Sequence, residues 1–291
     1  MKHGKLIVAS FVAALGGAVG GIAFERYVGS AELVDWAGMR HLVMAYKPRD
    51  LSDRVAVAMP SMERGRTMVA LVFGQSNAAN SGETLGAEVP GVYELYRGRL
   101  YRARDPLLGA DGDRGSVWMR LGKAAIDSGA FDTVILVPFA FGRTAIRRWA
   151  PGGSLHEPLL SLLAQARASG MEFTHLLWHQ GEADATANTP PDQYEAALRA
   201  LIASIRRHGV AAPIYVAVST RCGRTRPDES IRLAQRAVVD AGAGILPGPD
   251  TDSLGFAERY DGCHFSTEGL DRAAELWLHA IRTSRPRAAP G

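Results

Sequence analysis

Met68-Val69-Ala70-Leu71-Val72-Phe73-Gly74-Gln75-Ser76-Asn77 is an uncharged apolar run that passes directly into a polar turn. A run apolar at successive rather than alternate positions reads as a strand covered on both faces. Working outward, short runs rich in Val, Ile, Leu and aromatics recur at 133–137, 174–178 and 213–218, with a weaker one at 92–96. Longer segments of helical periodicity lie between and after them, at 117–128, 158–169, 191–208, 229–241 and 267–284. Such alternation predicts a three-layer α/β/α domain with helices on both faces of a parallel sheet of about five strands. Pro190 and Pro191 suit the first turn of their helix, and Gly209 suits its end.

The 291 residues are 47% hydrophobic and 22% charged, which suits one globular domain with a substantial core. Net charge is +3, from 33 basic and 30 acidic residues spread along the chain, so nothing asks for a nucleic-acid partner. Only Cys222 and Cys263 occur, and no Cys/His spacing fits a zinc site, so no structural metal is expected.

The amino end differs in kind. Lys2, His3 and Lys5 precede an uncharged apolar stretch at 6–24, closed by Glu25 and Arg26. Its length is about that needed to cross a bilayer as a hydrophobic helix. The basic flank and the weak small-residue site at Gly21-Ile22-Ala23 favour an uncleaved anchor over a cleaved signal. Everything after Arg26 is then exported, to the periplasm or another extracytoplasmic face of the membrane. Residues 30–66, with an amphipathic stretch at 33–44, read as a stalk or cover, and the main domain as 67–291.

In a doubly wound sheet ligands bind at the carboxyl ends of strands. Three polar segments fall there. Gly74-Gln75-Ser76-Asn77 presents a serine and main-chain N–H groups able to hold a developing oxyanion, although such a turn also simply caps helices. Trp178-His179-Gln180-Gly181-Glu182-Ala183-Asp184 is dense in hydrogen-bonding groups, its bland reading being a solvated loop. Asp261-Gly262-Cys263-His264 places a carboxylate three residues before an imidazole, where it can hold Nδ1–H and leave Nε2 to take a proton. Together they supply what acyl transfer needs: nucleophile, oriented base and oxyanion donors.

These three segments resemble the sialate O-acetylesterase-like group of SGNH hydrolases, carbohydrate esterase family 6. Weaker likenesses lie at Asp105-Pro106-Leu107 with Gly115, and at Gly142-Arg143-Thr144-Ala145-Ile146-Arg147-Arg148-Trp149, so the resemblance runs from about 66 to 284. It implies an SGNH or flavodoxin-like fold and a serine esterase acting on an acetylated carbohydrate, with no metal or organic cofactor. It implies Ser76 as nucleophile, His264 as base and then acid, and Asp261 orienting it. Ser76 N–H, Gly115 N–H and the Gln180 side chain would form the oxyanion hole. Gln75, Asn77, Glu182 and Arg143 are possible supporting residues. Sequence leaves open whether Glu182 or Asp261 supports the histidine; the local turn favours Asp261. Arg143 stands where the family often has a second glycine, and Ala78, Ala79 and Asn80 stand where a methionine commonly follows the serine-asparagine pair. Both departures bear on the substrate.

Cys222 follows the last regular strand and Cys263 sits in the histidine turn, so both are expected near the rim of the site. A disulfide holding the His264 loop is one reading, two unpaired small residues the other. Trp118, Trp149 and Trp178 could stack on sugars but more commonly pack in cores. Alternative functions are an SGNH acyltransferase, an esterase on another ester, or a catalytically silent glycan-binding module.

Overall fold

The computed structural model describes residues 51–60, 62–223 and 226–284. The expected anchor at 6–24 and the amphipathic stretch at 33–44 lie outside the described residues.

Strand β1 (Thr67–Gly74) is buried at every position. It leads through a single 3-10 turn, Ser76–Ala78, to the hairpin β2 (Val92–Tyr96) and β3 (Arg99–Arg102). Helix α1 (Val117–Asp127), capped by the Ser116 hydroxyl accepting from Met119 N–H, precedes β4 (Thr133–Ala140). Then come α2 (His156–Ala168), β5 (His175–His179), the short α3 (Glu182–Ala187) and α4 (Pro191–Arg207). The chain finishes with β6 (Ile214–Val218), α5 (Glu229–Ala237), β7 (Ile245–Asp250) and α6 (Thr267–Thr283).

The sheet has seven strands in the order β3-β2-β4-β1-β5-β6-β7, not about five. All pairings are parallel except β2 with β3. The two extra strands escaped the pattern for physical reasons. β3 is four residues long with exposed Arg99 and Arg102 at its ends. β7 contains Pro247, Gly248 and Pro249, which read as loop and are tolerated because the strand is an edge.

Alternate residues of β1 enter opposite layers. Val69, Leu71 and Phe73 pack with Trp149, Trp178, Leu159 of α2, Leu198 of α4 and Ile231 of α5. Met68, Ala70 and Val72 pack with Trp118 of α1 and Leu270 and Trp277 of α6. All three candidate sugar-stacking tryptophans are fully buried, at 0% exposure, so they serve the core. Residues 55–57 run beside β3, with Ala56 bridged to Tyr101 and Val57 N–H donating to the Leu100 carbonyl. Arg54 ties this segment down through Glu94 at 2.8 Å.

Sheet order decides where a ligand can sit. The chain passes from β4 on one side of β1 to β5 on the other, so the connections diverge at the carboxyl end of β1. The residues after Gly74 lie at this switch point.

Candidate active site

Gly74 ends β1 at φ +136°, and a Cβ there would collide with the His179 carbonyl. Only glycine lets the strand stay against β5 while the chain turns into Gln75-Ser76-Asn77. Ser76 is 8% exposed, between Gln75 at 3% and Asn77 at 4%. Gly142, just past β4, is the wall opposite: a Cβ on it would lie 3.5 Å from the Ser76 Cβ. Its N–H donates to Asp111 Oδ2 at 2.8 Å.

The histidine turn folds around one carboxylate. Asp261 Oδ1 accepts from Cys263 N–H at 2.9 Å and His264 N–H at 2.7 Å, while Oδ2 lies 2.6 Å from His264 Nδ1. Partial burial raises the Asp261 pKa, but these hydrogen bonds and the neighbouring imidazole together hold it below the usual carboxylate value. Bonding at Nδ1 leaves His264 Nε2 as the available ring nitrogen. The Tyr260 ring stands 6.3 Å from the imidazole, and Tyr260 Oη donates to the Ser81 carbonyl at 3.2 Å.

Asn77 stitches this turn to the serine turn, and Glu83 ties down the chain just beyond His264. Asn77 Nδ2 donates to the Cys263 carbonyl at 3.3 Å and to Glu182 Oε1 at 2.7 Å. Glu83 N–H donates to the Phe265 carbonyl at 2.9 Å. Among the described residues no hydrogen bond joins the Ser76 hydroxyl to His264. Cys222 and Cys263 form a disulfide across a sequence separation of 41 residues, fastening the same turn to the end of β6.

Glu182 supports the serine side rather than the imidazole. It is 1% exposed, and burial raises its pKa against the opposing Asn77 hydrogen bond. Asp184 is equally enclosed, which overturns the reading of its segment as a solvated loop. It accepts from Gln180 Nε2 at 2.6 Å, Ile146 N–H at 2.8 Å and Thr189 Oγ1 at 2.8 Å. Burial raises its pKa too.

Two expected oxyanion donors are already spent. Gly115 N–H donates to the Gly82 carbonyl at 3.2 Å, and a Cβ there would strike the Thr84 carbonyl, so its role is close backbone packing. Gln180 is 0% exposed, and its Nε2 donates to Thr144 O, Asp184 Oδ2 and Gln75 Oε1. Its Oε1 accepts from Tyr194 Oη at 3.1 Å. Gln75 in turn accepts from Ala183 N–H at 3.0 Å. Gln75 and Gln180 thus form a buried strut under the serine turn. Among the described residues the N–H of Ser76 has no partner.

Arg143 is exposed, sits at φ +58°, and makes no ion pair or hydrogen bond among the described residues. The sequence reading missed Arg259, Asp111 and Gly142. Asp111 and Arg259 are single charged residues in loops, with no spacing that marks them. Gly142 lies in the quoted Gly-Arg-Thr segment, and its nearness to Ser76 emerges only through sheet order.

A family model described as carbohydrate esterase, sialic acid-specific acetylesterase matches residues 66–282. An Arabidopsis thaliana protein described as a probable carbohydrate esterase is 30% identical over 137 residues, 46% of this chain and 49% of that protein. The chain thus aligns with about half the length of the curated relative it matches. The X-ray structure of that Arabidopsis protein superposes with a TM-score of 0.62 at 21% identity, covering 76% of this chain and 98% of the other. NanS superposes with a TM-score of 0.52 at 16% identity, with the same two coverages of 76% and 98%.

Proposed function

The chain belongs to the sialic acid-specific acetylesterase family of carbohydrate esterases, and on that membership we propose that it removes O-acetyl groups from a carbohydrate through an acyl-Ser76 intermediate. The observation that carries the serine mechanism is the 2.6 Å contact of His264 Nδ1 with Asp261 Oδ2, on a turn tied through Asn77 to the serine turn.

His264 Nε2 takes the Ser76 hydroxyl proton as Oγ attacks the acetyl carbonyl. The pair tightens to hydrogen-bond reach when substrate fills the site. Ser76 N–H receives the developing oxyanion. Collapse expels the sugar hydroxyl, which takes its proton from His264. Water then attacks the acyl-serine, with His264 as base, and acetate leaves. Asp261 stabilises the imidazolium in both steps.

Arg143, exposed beside Gly142 and without a partner among the described residues, supports an acidic sugar as substrate, since a cation there pairs with a carboxylate. The Cys222–Cys263 disulfide supports an exported domain, because such bonds persist in oxidising compartments. Residues 6–24 would be its anchor, an assignment drawn from their apolar sequence and basic flank. Among the described residues no helix is long and apolar enough to cross a membrane.

The test is hydrolysis of p-nitrophenyl acetate and of O-acetylated sialic acid by the wild type and Ser76→Ala. Loss of about two to three orders of magnitude in the variant supports the assignment. Equal activity in both sinks it. Membrane fractionation with and without residues 1–29 tests the anchor.

A further inference from the structure

Arg259 is a buried cation for which acyl transfer has no direct task. It is 3% exposed, and no carboxylate pairs with it among the described residues. Its nitrogens are spent on carbonyls instead: Nη1 on Cys263, Nη2 on Thr251 at 2.9 Å, and Nε on Leu254 at 3.3 Å. The guanidinium lies 4.8 Å over the Phe265 ring. Burial lowers its pKa, while Glu182 and Asp252 push it back up. A charge in such a place carries a large desolvation cost, which loop packing alone does not require.

One peptide unit shows what the charge does. The unit joining Cys263 to His264 is gripped at both ends. Its carbonyl accepts from Arg259 Nη1 and from Asn77 Nδ2, and its N–H donates to Asp261 Oδ1 at 2.7 Å. A peptide unit is planar, so fixing its C=O and N–H fixes the plane and the position of the next Cα. That Cα belongs to His264. Asn77, which shares the carbonyl with Arg259, is the residue after Ser76. The shared oxygen therefore ties the base's backbone to the nucleophile's.

We propose that Arg259 is a positioning residue for acyl transfer: its guanidinium clamps the Cys263–His264 peptide against Asn77 and so sets the approach of His264 Nε2 to Ser76. The inference rests on the serine-esterase reading. A displacement of about 1 Å at a reacting group can cost on the order of a hundredfold in rate, so a clamp of this kind acts on kcat.

The experiment compares wild type, Arg259→Ala and Arg259→Lys in the full chain, with Ser76→Ala as control and p-nitrophenyl acetate as substrate. Rates of the chains that keep Ser76 are divided by the number of active sites titrated to completion with a fluorophosphonate, so unfolded molecules do not count, and the Ser76→Ala rate is taken per mole of protein. Arg259→Ala is expected to lose about ten- to a hundredfold in kcat per titrated site, with KM within about threefold. Arg259→Lys, which keeps a cationic donor, is expected to fall between. If kcat per site in Arg259→Ala stays within about twofold of wild type, Arg259 is only a stabilising brace and the proposal fails, whatever the melting temperature does. Parallel changes in KM and kcat overturn it as well. Wild type without Ser76-dependent turnover removes this inference and the esterase reading together.

Discussion

Asn77 Nδ2 lies 3.3 Å from the carbonyl oxygen of Cys263, across 186 residues of sequence. This contact joins the first loop of the sheet to the last, and the same nitrogen also meets the buried Glu182. Asn77→Ala leaves Glu182 Oε1 enclosed without its donor and frees the histidine turn. A loss of about 1–3 kcal/mol in stability is expected, together with at least tenfold in kcat. Thermal melts and steady-state kinetics on one preparation measure both; a variant with unchanged kcat would show that the two loops keep their register without the amide.

Asp261→Asn removes the charge that steadies the imidazolium and favours the wrong tautomer. kcat is expected to fall by two to four orders of magnitude, roughly the range seen when a triad aspartate is neutralised. Glu182→Gln, whose carboxylate meets Asn77 rather than the histidine, is expected to fall far less. The reverse ranking in a kcat assay would return the supporting role to Glu182. The native pKa of Asp261 is lowered, so the stability it contributes is present above the ordinary carboxylate pKa and is lost as pH falls below it.

Arg143 occupies the left-handed region at φ +58°, with no partner holding it there among the described residues. Arg143→Gly is expected to raise stability by about 1 kcal/mol through relief of that conformation. It is also expected to cut kcat/KM on an acetylated acidic sugar at least tenfold more than on its neutral counterpart. Equal losses on both sugars would remove the acidic-substrate reading.

Cys222→Ser opens the link between the histidine turn and β6. The expected cost is about 2–4 kcal/mol for a loop of this length, and activity should disappear at lower denaturant than β-sheet structure does. Circular dichroism and ester hydrolysis followed along one urea series would reveal a single shared transition if this is wrong.

Glu94, enclosed beside Arg54, is pushed up to about 7 by burial, against the opposing pull of Arg54 and Leu108 N–H. An unfolded glutamate releases its proton near 4.5, so the folded chain binds it more tightly. This contribution is complete below about pH 4.5 and is lost as pH rises through about 7. The melting temperature of Glu94→Gln should therefore depend less on pH across that window. Asp105, at about 6 through burial, keeps part of the slope in place.

Much of this was legible in the chain, for identifiable reasons. β1 was readable because a strand buried on both faces needs no alternation, and the polar segments 74–77, 178–184 and 261–264 marked the site because ordered polar residues need a use. β3 and β7 were hidden by arginines and prolines that suit edges. The solvated alternative for Asp184 stayed open because two of its partners, Ile146 and Thr189, lie outside the 178–184 segment. Gly115 and Gln180 were assigned to the oxyanion by resemblance to the family. Whether an N–H is free depends on the strand or loop beside it, and Gly82 and Thr144 had already taken theirs.

Pro247 of β7 also shapes how this molecule meets its own copies. Ile245 exchanges both main-chain bonds with Asp240 on the side of β7 away from β6, and Pro247 shares its parity, the register shifting only beyond it. The missing N–H of Pro247 therefore falls on the outward edge, where an arriving strand lacks a donor to zip onto. At the opposite border residues 55–57 already fill the ladder of β3. A chain trimmed to begin at Thr67 would lose that covering, and its bare β3 border is where intermolecular sheet growth and fibril seeding would start.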